Sequence, residues 1–343
     1  MDTITIKDIA KICGVGPSTV SRALNNHPDI NQETKQRILE AVDKYGFVPN
    51  NSARNLKITA SNNIAILVKG MNNPFFMNMI EMMEDDIRKA KYYMELRRVD
   101  EYTDEVEVAL ELIKEKKLQG IIFLGGLTTH SPEELAKIDV PFVLSTISVP
   151  KEAEGIYSSV SVDDEKEGYK MTKFLIDKGH RRIAIMAGPK SETSVSQLRV
   201  CGYERALRES NIEIDENLIW NSIEGVDSYS MDNGYEVMQR QLKTGCKFDA
   251  IFTICDTMAV GAIRALSEAG VRVPEDVSVA GFDGINIGRY SIPSITTISQ
   301  PFEDIGHMTT KMLFDLINKE KSHKRIILEA SLTQRESVRD RNL

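Results

Sequence analysis

From about residue 62 to its end the chain alternates short apolar runs with longer stretches of helical period, and no other feature restricts its fold as much. The runs are NIAILVK (63–69), YYMELRRV (92–99), GIIFLG (120–125), PFVLST (141–146), RRIAIMAG (181–188), AIFTI (250–254) and DVSVAGFD (276–283). Between them, 76–91, 103–117, 164–178, 195–210, 231–243, 257–270 and 302–318 carry apolar residues at helical spacing. Apolar strands alternating with helices in this way predict parallel, doubly wound α/β sheets. Roughly 280 residues are too many for one such sheet, and the rhythm repeats before and after Asp163, so two lobes are expected.

The first fifty residues follow another rule. In IKDIAKICGVGPSTVSRALN (6–25), Ile6, Ile9, Ala10 and Cys13 form one face of a first helix, and Thr5 with Asp8 supplies its capping box. Gly14 permits a tight turn, Val15 fills the angle behind it, and Pro17 sits at a first helical position, where its missing N–H costs nothing. A second helix buries Val20, Ala23 and Leu24 and leaves Ser18, Thr19, Ser21, Arg22 and Asn25 outside. Short hydroxyls and one guanidinium suit phosphates and base edges, and the layout is that of a helix-turn-helix DNA reader. An ordinary helical hairpin would expose the same residues, so the next segment decides. Asn31 can cap a third helix with the stripe Ile38, Ala41, Val42 and Tyr45, ended by Gly46, with Phe47 packing back and Pro49 as a stop. Three helices close a small core. PNNSARNLK (49–57) then reads as a helical turn or two, too short to stand alone in water.

Charge divides the same way. The whole chain carries −8, yet residues 1–60 hold eight Lys and Arg against six Asp and Glu. That excess is small for a nucleic-acid binder, which points to two heads on a dimer reading a roughly palindromic site.

IKDIAKICGV, STVSRALN, ETKQRILEAVDKYGF and PNNSARNLK, in this order and spacing, resemble the LacI family of bacterial transcriptional regulators. The resemblance implies a reading domain at 1–48, a hinge helix and linker at 49–61, and an effector-binding and dimerisation domain at 62–343 of periplasmic-binding-protein type. It places the crossings between lobes near Val162–Asp164, Ile292–Ser294 and Ser322–Lys324, giving an N-lobe of 62–162 and 293–322 and a C-lobe of 163–292 and 323–343. It sets Pro17, Ser18 and Arg22 against base edges, and Thr5, Thr19, Ser21, Asn25, Asn31 and Thr34 near phosphates. Asn50 to Lys57 becomes a hinge helix ordered on DNA, with Leu56 wedged into the minor groove beside Ala53. Gly16 replaces the family's usual Ser or Thr cap, and Pro17 offers a base only apolar contact.

An effector would bind between the lobes, beyond the carboxyl ends of the strands. Asn73, Phe75 and Phe76 follow the first strand and combine an amide with flat apolar faces. Arg199 matches the family's pocket arginine, Asp256 and Asp283 end strands and match effector ligands, and Tyr229 matches a pocket aromatic. Thr146-Ile147 stands where the family usually has an Asp-Arg pair, and Cys255 where Asn is common, so a small sugar or related metabolite is expected without a named one. The family includes members induced by their ligand, members that need a co-repressor, and a branch gated by a phosphorylated carrier protein.

The four cysteines and five histidines show no metal or disulfide spacing, and no cofactor is expected. GVGPST (14–19) lacks the last glycine and the preceding strand of a dinucleotide loop, and no Walker loop or GxSxG elbow occurs, so an enzyme is not expected. A sugar-binding protein without a DNA role would need an export signal and would leave the first fifty residues unexplained. With no apolar run of signal or membrane-spanning length, a cytoplasmic protein without membrane contact is expected.

Overall fold

The computed structural model describes residues 4–24, 29–45, 47, 62–100, 103–126, 130–147, 155–190, 194–320 and 322–342. Contacts divide the chain into two units, Met1–Ser61 and Asn62–Leu343.

The first unit packs α1 (Ile6–Ile12), α2 (Pro17–Leu24) and α3 (Gln32–Tyr45) around Ile9, Ala10, Cys13, Val20, Ala23, Ile38, Ala41 and Phe47. Local chemistry sets each end. The Thr5 backbone N–H and hydroxyl both donate to Asp8, at 2.9 and 2.6 Å, and Gly14 takes φ +64° after the first helix. The Asn31 carboxamide oxygen accepts from the N–H groups of Glu33 (2.9 Å) and Thr34 (3.4 Å), which caps α3. Tyr45, expected in the buried stripe, is instead 41 % exposed, with the Lys44 ammonium 5.5 Å from its ring centre. Phe47 takes the buried place at the end of α3, and its N–H donates to Val42 O at 3.0 Å.

The second unit runs β1 (Asn63–Lys69), α4 (Pro74–Lys89), β2 (Tyr93–Val99), α5 (Glu105–Lys116), β3 (Leu118–Leu124), α6 (Pro132–Leu135), β4 (Phe142–Ser145) and β5 (Ser158–Val162). It continues with α7 (Asp164–Asp177), β6 (Ile183–Ala187), α8 (Val195–Glu209), β7 (Ile219–Asn221), α9 (Met231–Thr244), β8 (Ala250–Thr253), α10 (Asp256–Glu268) and β9 (Ser278–Asp283). α11 (Asn286–Tyr290), β10 (Thr296–Ser299), α12 (Phe302–Ile317), β11 (Arg325–Leu328) and β12 (Ser331–Thr333) complete it. Two six-stranded sheets result, ordered β11-β5-β4-β3-β1-β2 and β12-β10-β9-β8-β6-β7; every pairing is parallel except β10 with β12. β1 illustrates why both faces must be apolar. Ile64, Ile66 and Val68 pack with Met79 and Met83 of α4, while Ala65 and Leu67 pack with Ala109 and Leu112 of α5. Each such large aliphatic side chain contributes about 1.5–3 kcal/mol by leaving water.

The sheets correct two of the three expected crossings. The chain leaves the first lobe between β5 and α7, where Val162–Asp164 was expected. At Ile292–Ser294 it stays in the second lobe, because β10 pairs with β9, and it returns only through Gln300 and Pro301 to α12. At Ser322–Lys324 it remains in the first lobe, because β11 pairs with β5; the last crossing lies between Leu328 and Ser331. The lobes therefore comprise 62–162 with 302–328, and 163–299 with 331–342. Several of the strands that move these boundaries are short and rich in Ser and Thr, so they carry no apolar run. Some of these hydroxyls are bonded inside: Thr297 Oγ1 donates to Asp256 at 2.6 Å, and on β5 Ser158 Oγ lies 3.1 Å from His323 Nδ1, whereas Ser159 and Ser161 Oγ have no partner among the described residues.

Candidate functional site

On the helix-turn-helix unit, Pro17, Ser18 and Arg22 are exposed along α2, with Thr19 and Ser21 half-buried beside them. Thr5 and Asn31 are exposed and Thr34 is half-buried, each at the start of a helix, where backbone N–H groups favour a phosphate. Asn25, Asn50, Ala53, Leu56 and Lys57 lie outside the described residues.

In the second unit a cavity of about 370 Å³ opens at the carboxyl ends of the strands, lined from both lobes. Asn73, Phe75, Phe76, Thr146, Arg199, Tyr229 and Asp283 all line it. Asn73 caps α4 by accepting from Phe75 N–H at 3.1 Å and turns its amide nitrogen across the cleft to Asp283, at 2.8 Å. Phe75 is mostly buried in the core, and Phe76, edge-on to it at 5.5 Å, gives the cavity its aromatic face. Thr146 follows β4 at φ +65°, and its hydroxyl accepts from Gly125 N–H at 3.2 Å. Tyr229 projects from the loop before α9 and bonds through its N–H to Asp227 at 3.1 Å.

Asp283 ends β9 at φ +104°, and its second oxygen accepts from Gln300 Nε2 at 2.8 Å. Arg199 stacks 3.5 Å over the centre of Phe282 and donates through Nε and Nη2 to Asp164, at 2.9 and 2.8 Å, and through Nη1 to Ile254 O. Burial raises the Asp164 carboxyl to about 6 against the opposing pull of Arg199. Burial also raises Asp283, opposed by Arg199 and by the amides of Asn73 and Gln300.

Asp256 corrects the sequence reading. Its side chain is fully buried and does not line the cavity. It accepts from Thr297 Oγ1 at 2.6 Å and from Ile285 N–H at 2.8 Å, pinning the loop after β9. Burial, with the nearby charge of Asp283, raises it to about 8. The strand-end position is right, but its side chain turns beneath the sheet ends, into the contact with Gly281.

Sequence reasoning missed Asp164 and Gln300. Each is held to a site residue by contacts between separate elements, Asp164 to Arg199 and Gln300 to Asp283, and no local pattern announces that. It also missed the Lys69 wall: Lys69 Nζ lies 3.1 Å from Glu105 and 3.0 Å from Thr103 O, with His130 Nε2 2.8 Å from the other Glu105 oxygen. Glu105 raises the His130 pKa against the effect of burial. Asp104, Glu105 and His130 place three possible ligand atoms within 4.8 Å, but Lys69 takes up Glu105 and Val106 N–H takes up Asp104, at 2.8 Å. The cluster is an ion-pair network that holds Lys69 at the cavity wall. The cysteines are free, and Cys255 is a buried thiol pushed up to about 12. Among the described residues no helix is long and apolar enough to cross a membrane.

Comparison with known proteins agrees with this layout. Residues 5–50 match the model for bacterial regulatory proteins of the lacI family, and residues 172–338 match the periplasmic binding protein-like domain. The chain is 40 % identical to the HTH-type transcriptional regulator MalR of Clostridium butyricum, over 97 % of this chain and 99 % of that one. A solved complex of the transcriptional regulator CelR with cellobiose superposes with a TM-score of 0.69 at 28 % identity, covering 97 % of this chain and 99 % of that one. The lac repressor dimer bound to operator and the anti-inducer ONPF shares the fold, with a TM-score of 0.77 at 22 % identity over 98 % of this chain and all of that one. The chain thus belongs to the lacI family of bacterial regulatory proteins, as a helix-turn-helix transcriptional regulator with a periplasmic-binding-protein-like domain.

Proposed function

We propose that this protein is a cytoplasmic homodimeric repressor that reads a roughly palindromic operator and is gated by a small sugar bound between its lobes. One observation carries the reading: a chain whose α2 offers Pro17, Ser18 and Arg22 to solvent also encloses Arg199 and Asp283 in a two-lobed cavity. Arg22 is the guanine contact, Ser18 a second polar base contact, and Pro17 an apolar one; Thr5, Thr19, Ser21, Asn25, Asn31 and Thr34 hold phosphates. Asn50, Ala53, Leu56 and Lys57 form the hinge that widens the minor groove, with Leu56 as its wedge.

Vicinal hydroxyls suit the cavity floor, because a carboxylate accepts from them and a guanidinium donates to them. The CelR complex, a regulator of the same fold holding cellobiose, supports a sugar as the ligand class. Asn73 and Asp283 already bridge the lobes, so a ligand that engages Asp283 acts on the contact that sets cleft closure. Closure moves the lobes of the two protomers relative to each other and so changes how the hinges are held. Only a ligand with different affinity for the open and closed forms shifts operator binding. An exposed apolar patch of Ile287, Tyr290 and Ile292 supplies area for a second copy.

The test is a two-step binding measurement. An operator selected from random DNA is titrated by fluorescence anisotropy with and without sugars that raise the melting temperature. A sugar that shifts operator affinity, and loses that effect in Arg199→Ala, supports the reading. A sugar that binds without moving operator affinity contradicts it.

A further inference from the structure

The inference below rests on the cleft being the effector site. We propose that this cavity takes a neutral glycoside of two sugar rings and discriminates against sugar phosphates.

The first support is size. A hexose fills roughly 180 Å³ at the density of a packed interior. The cavity, at about 370 Å³, has room for two such rings.

The second support is charge. Three cations line the cavity among the described residues, and each has a carboxylate: Lys69 has Glu105 at 3.1 Å, Arg98 has Asp100 at 3.9 Å, and Arg199 has Asp164 at 2.8 Å. Two further lining carboxylates are met by amides. Asn72 Nδ2 donates to Asp227 at 2.6 Å, and Asn73 and Gln300 donate to Asp283 at 2.8 Å each. The described wall therefore holds as many carboxylates as cations, and Glu105 and Asp164, paired from behind it to Lys69 and Arg199, bring the total to five carboxylates against three cations. Away from the exposed Arg98–Asp100 pair, a phosphate placed here must draw Lys69 or Arg199 from a buried carboxylate or stand beside Asp227 or Asp283 with its own charge unmatched.

Hydroxyls meet no such conflict. Asp283 keeps acceptor capacity beyond its two amide bonds. The Arg199 guanidinium has five N–H donors, three of them used by Asp164 and Ile254, which leaves two. Phe76, Met71, Tyr229 and Val226 supply the apolar faces against which the C–H side of a ring packs. Asn72 and Asp227 close the rim from opposite lobes, so the second ring lies under an existing bridge.

Calorimetric titration of the full chain tests this with glucose, five neutral disaccharides (maltose, cellobiose, sucrose, trehalose and lactose), glucose 6-phosphate and maltose 6-phosphate. The expected result is at least one disaccharide binding tenfold or more tighter than glucose, with both phosphates tenfold or more weaker than that disaccharide. The rim variant Asp227→Asn, at a position not needed for the core, should narrow the gap between maltose and maltose 6-phosphate at least threefold. Glucose or a phosphate binding as tightly as the best disaccharide overturns the proposal while leaving the cleft as a sugar site. An unchanged gap in Asp227→Asn overturns its electrostatic basis. Binding by none of these compounds overturns the sugar reading of the cleft itself, and this proposal with it.

Discussion

Asp256 and Arg22 show how much one side chain's surroundings decide. Asp256 looks like a ligand carboxylate in the sequence, yet its surroundings make it a buried clamp held up at about 8, so at neutral pH it is mostly the neutral acid. Asp256→Asn keeps an acceptor for Ile285 N–H and a polar partner for Thr297, and should leave stability within about 1 kcal/mol of the parent at neutral pH. Asp256→Ala strands the Ile285 N–H and should cost about 1–3 kcal/mol in urea unfolding. The pH dependence has a definite sign. A carboxyl raised from 3.8 to about 8 on folding binds its proton more tightly in the native state, so its contribution is full below pH ~4 and is lost as pH rises towards 8. Asp164, raised to about 6, acts in the same direction over a narrower window. Relative to Asp256→Asn, the parent should therefore lose stability between pH ~4 and 8; a gap that stays constant, or that widens in the parent's favour, removes the neutral-acid assignment. At the other end of the chain, Arg22→Ala should weaken operator binding by about 1–3 kcal/mol and relax preference at one base pair. Uniform loss over operators mutated at each position would make Arg22 a phosphate contact instead.

Helices in the second lobe approach as closely as glycine allows. A Cβ on Gly202 of α8 would lie 2.1 Å from Glu165 O and 2.5 Å from Tyr169 N, both backbone atoms of α7. Gly234 and Gly261 make the same kind of approach between α9 and α10, at 2.2 Å from Met258 O and 2.0 Å from Met231 O. Because backbone cannot yield as a flexible side chain does, Gly202→Ala should cost about 1–3 kcal/mol or more in urea unfolding. Arg199 stands one turn earlier on α8 and Asp164 begins α7, so the same substitution should also weaken effector binding, which calorimetry reads separately. Most of these helices were legible in the sequence, because their apolar positions recur at 3.6 residues and their ends carry caps such as Asn73, Asp104 and Ser230. β5 and β10 were not legible. SSVSV and TTIS carry no apolar run, and only the sheet around them buries most of their serines and threonines, with Thr297 bonded to Asp256 and the Ser159 and Ser161 hydroxyls left without a partner among the described residues.

Across the whole second unit the cleft is spanned by two adjacent residues, Asn72 bonding Asp227 at the rim and Asn73 bonding Asp283 at the floor. Asn72→Ala should favour the open form and lower effector affinity by about 0.5–1.5 kcal/mol while leaving unfolding by urea nearly unchanged. Equal affinity in calorimetry would show that the rim bond does not bias closure. By itself the sequence determined the helix-turn-helix unit, the strand-helix alternation, the two lobes, and the strand end at which Asp283 would be found. Those follow from periodicity, caps and turns, which act over a few residues and can be read along the chain. The tertiary structure alone decided that Asp283 faces the cavity and Asp256 does not, that Asp164 holds Arg199, and that the later crossings fall at Gln300–Pro301 and between Leu328 and Ser331. Each of these depends on partners far apart in the chain, as with Asn73 and Asp283, 210 residues from each other, and such contacts exist only once both lobes have packed.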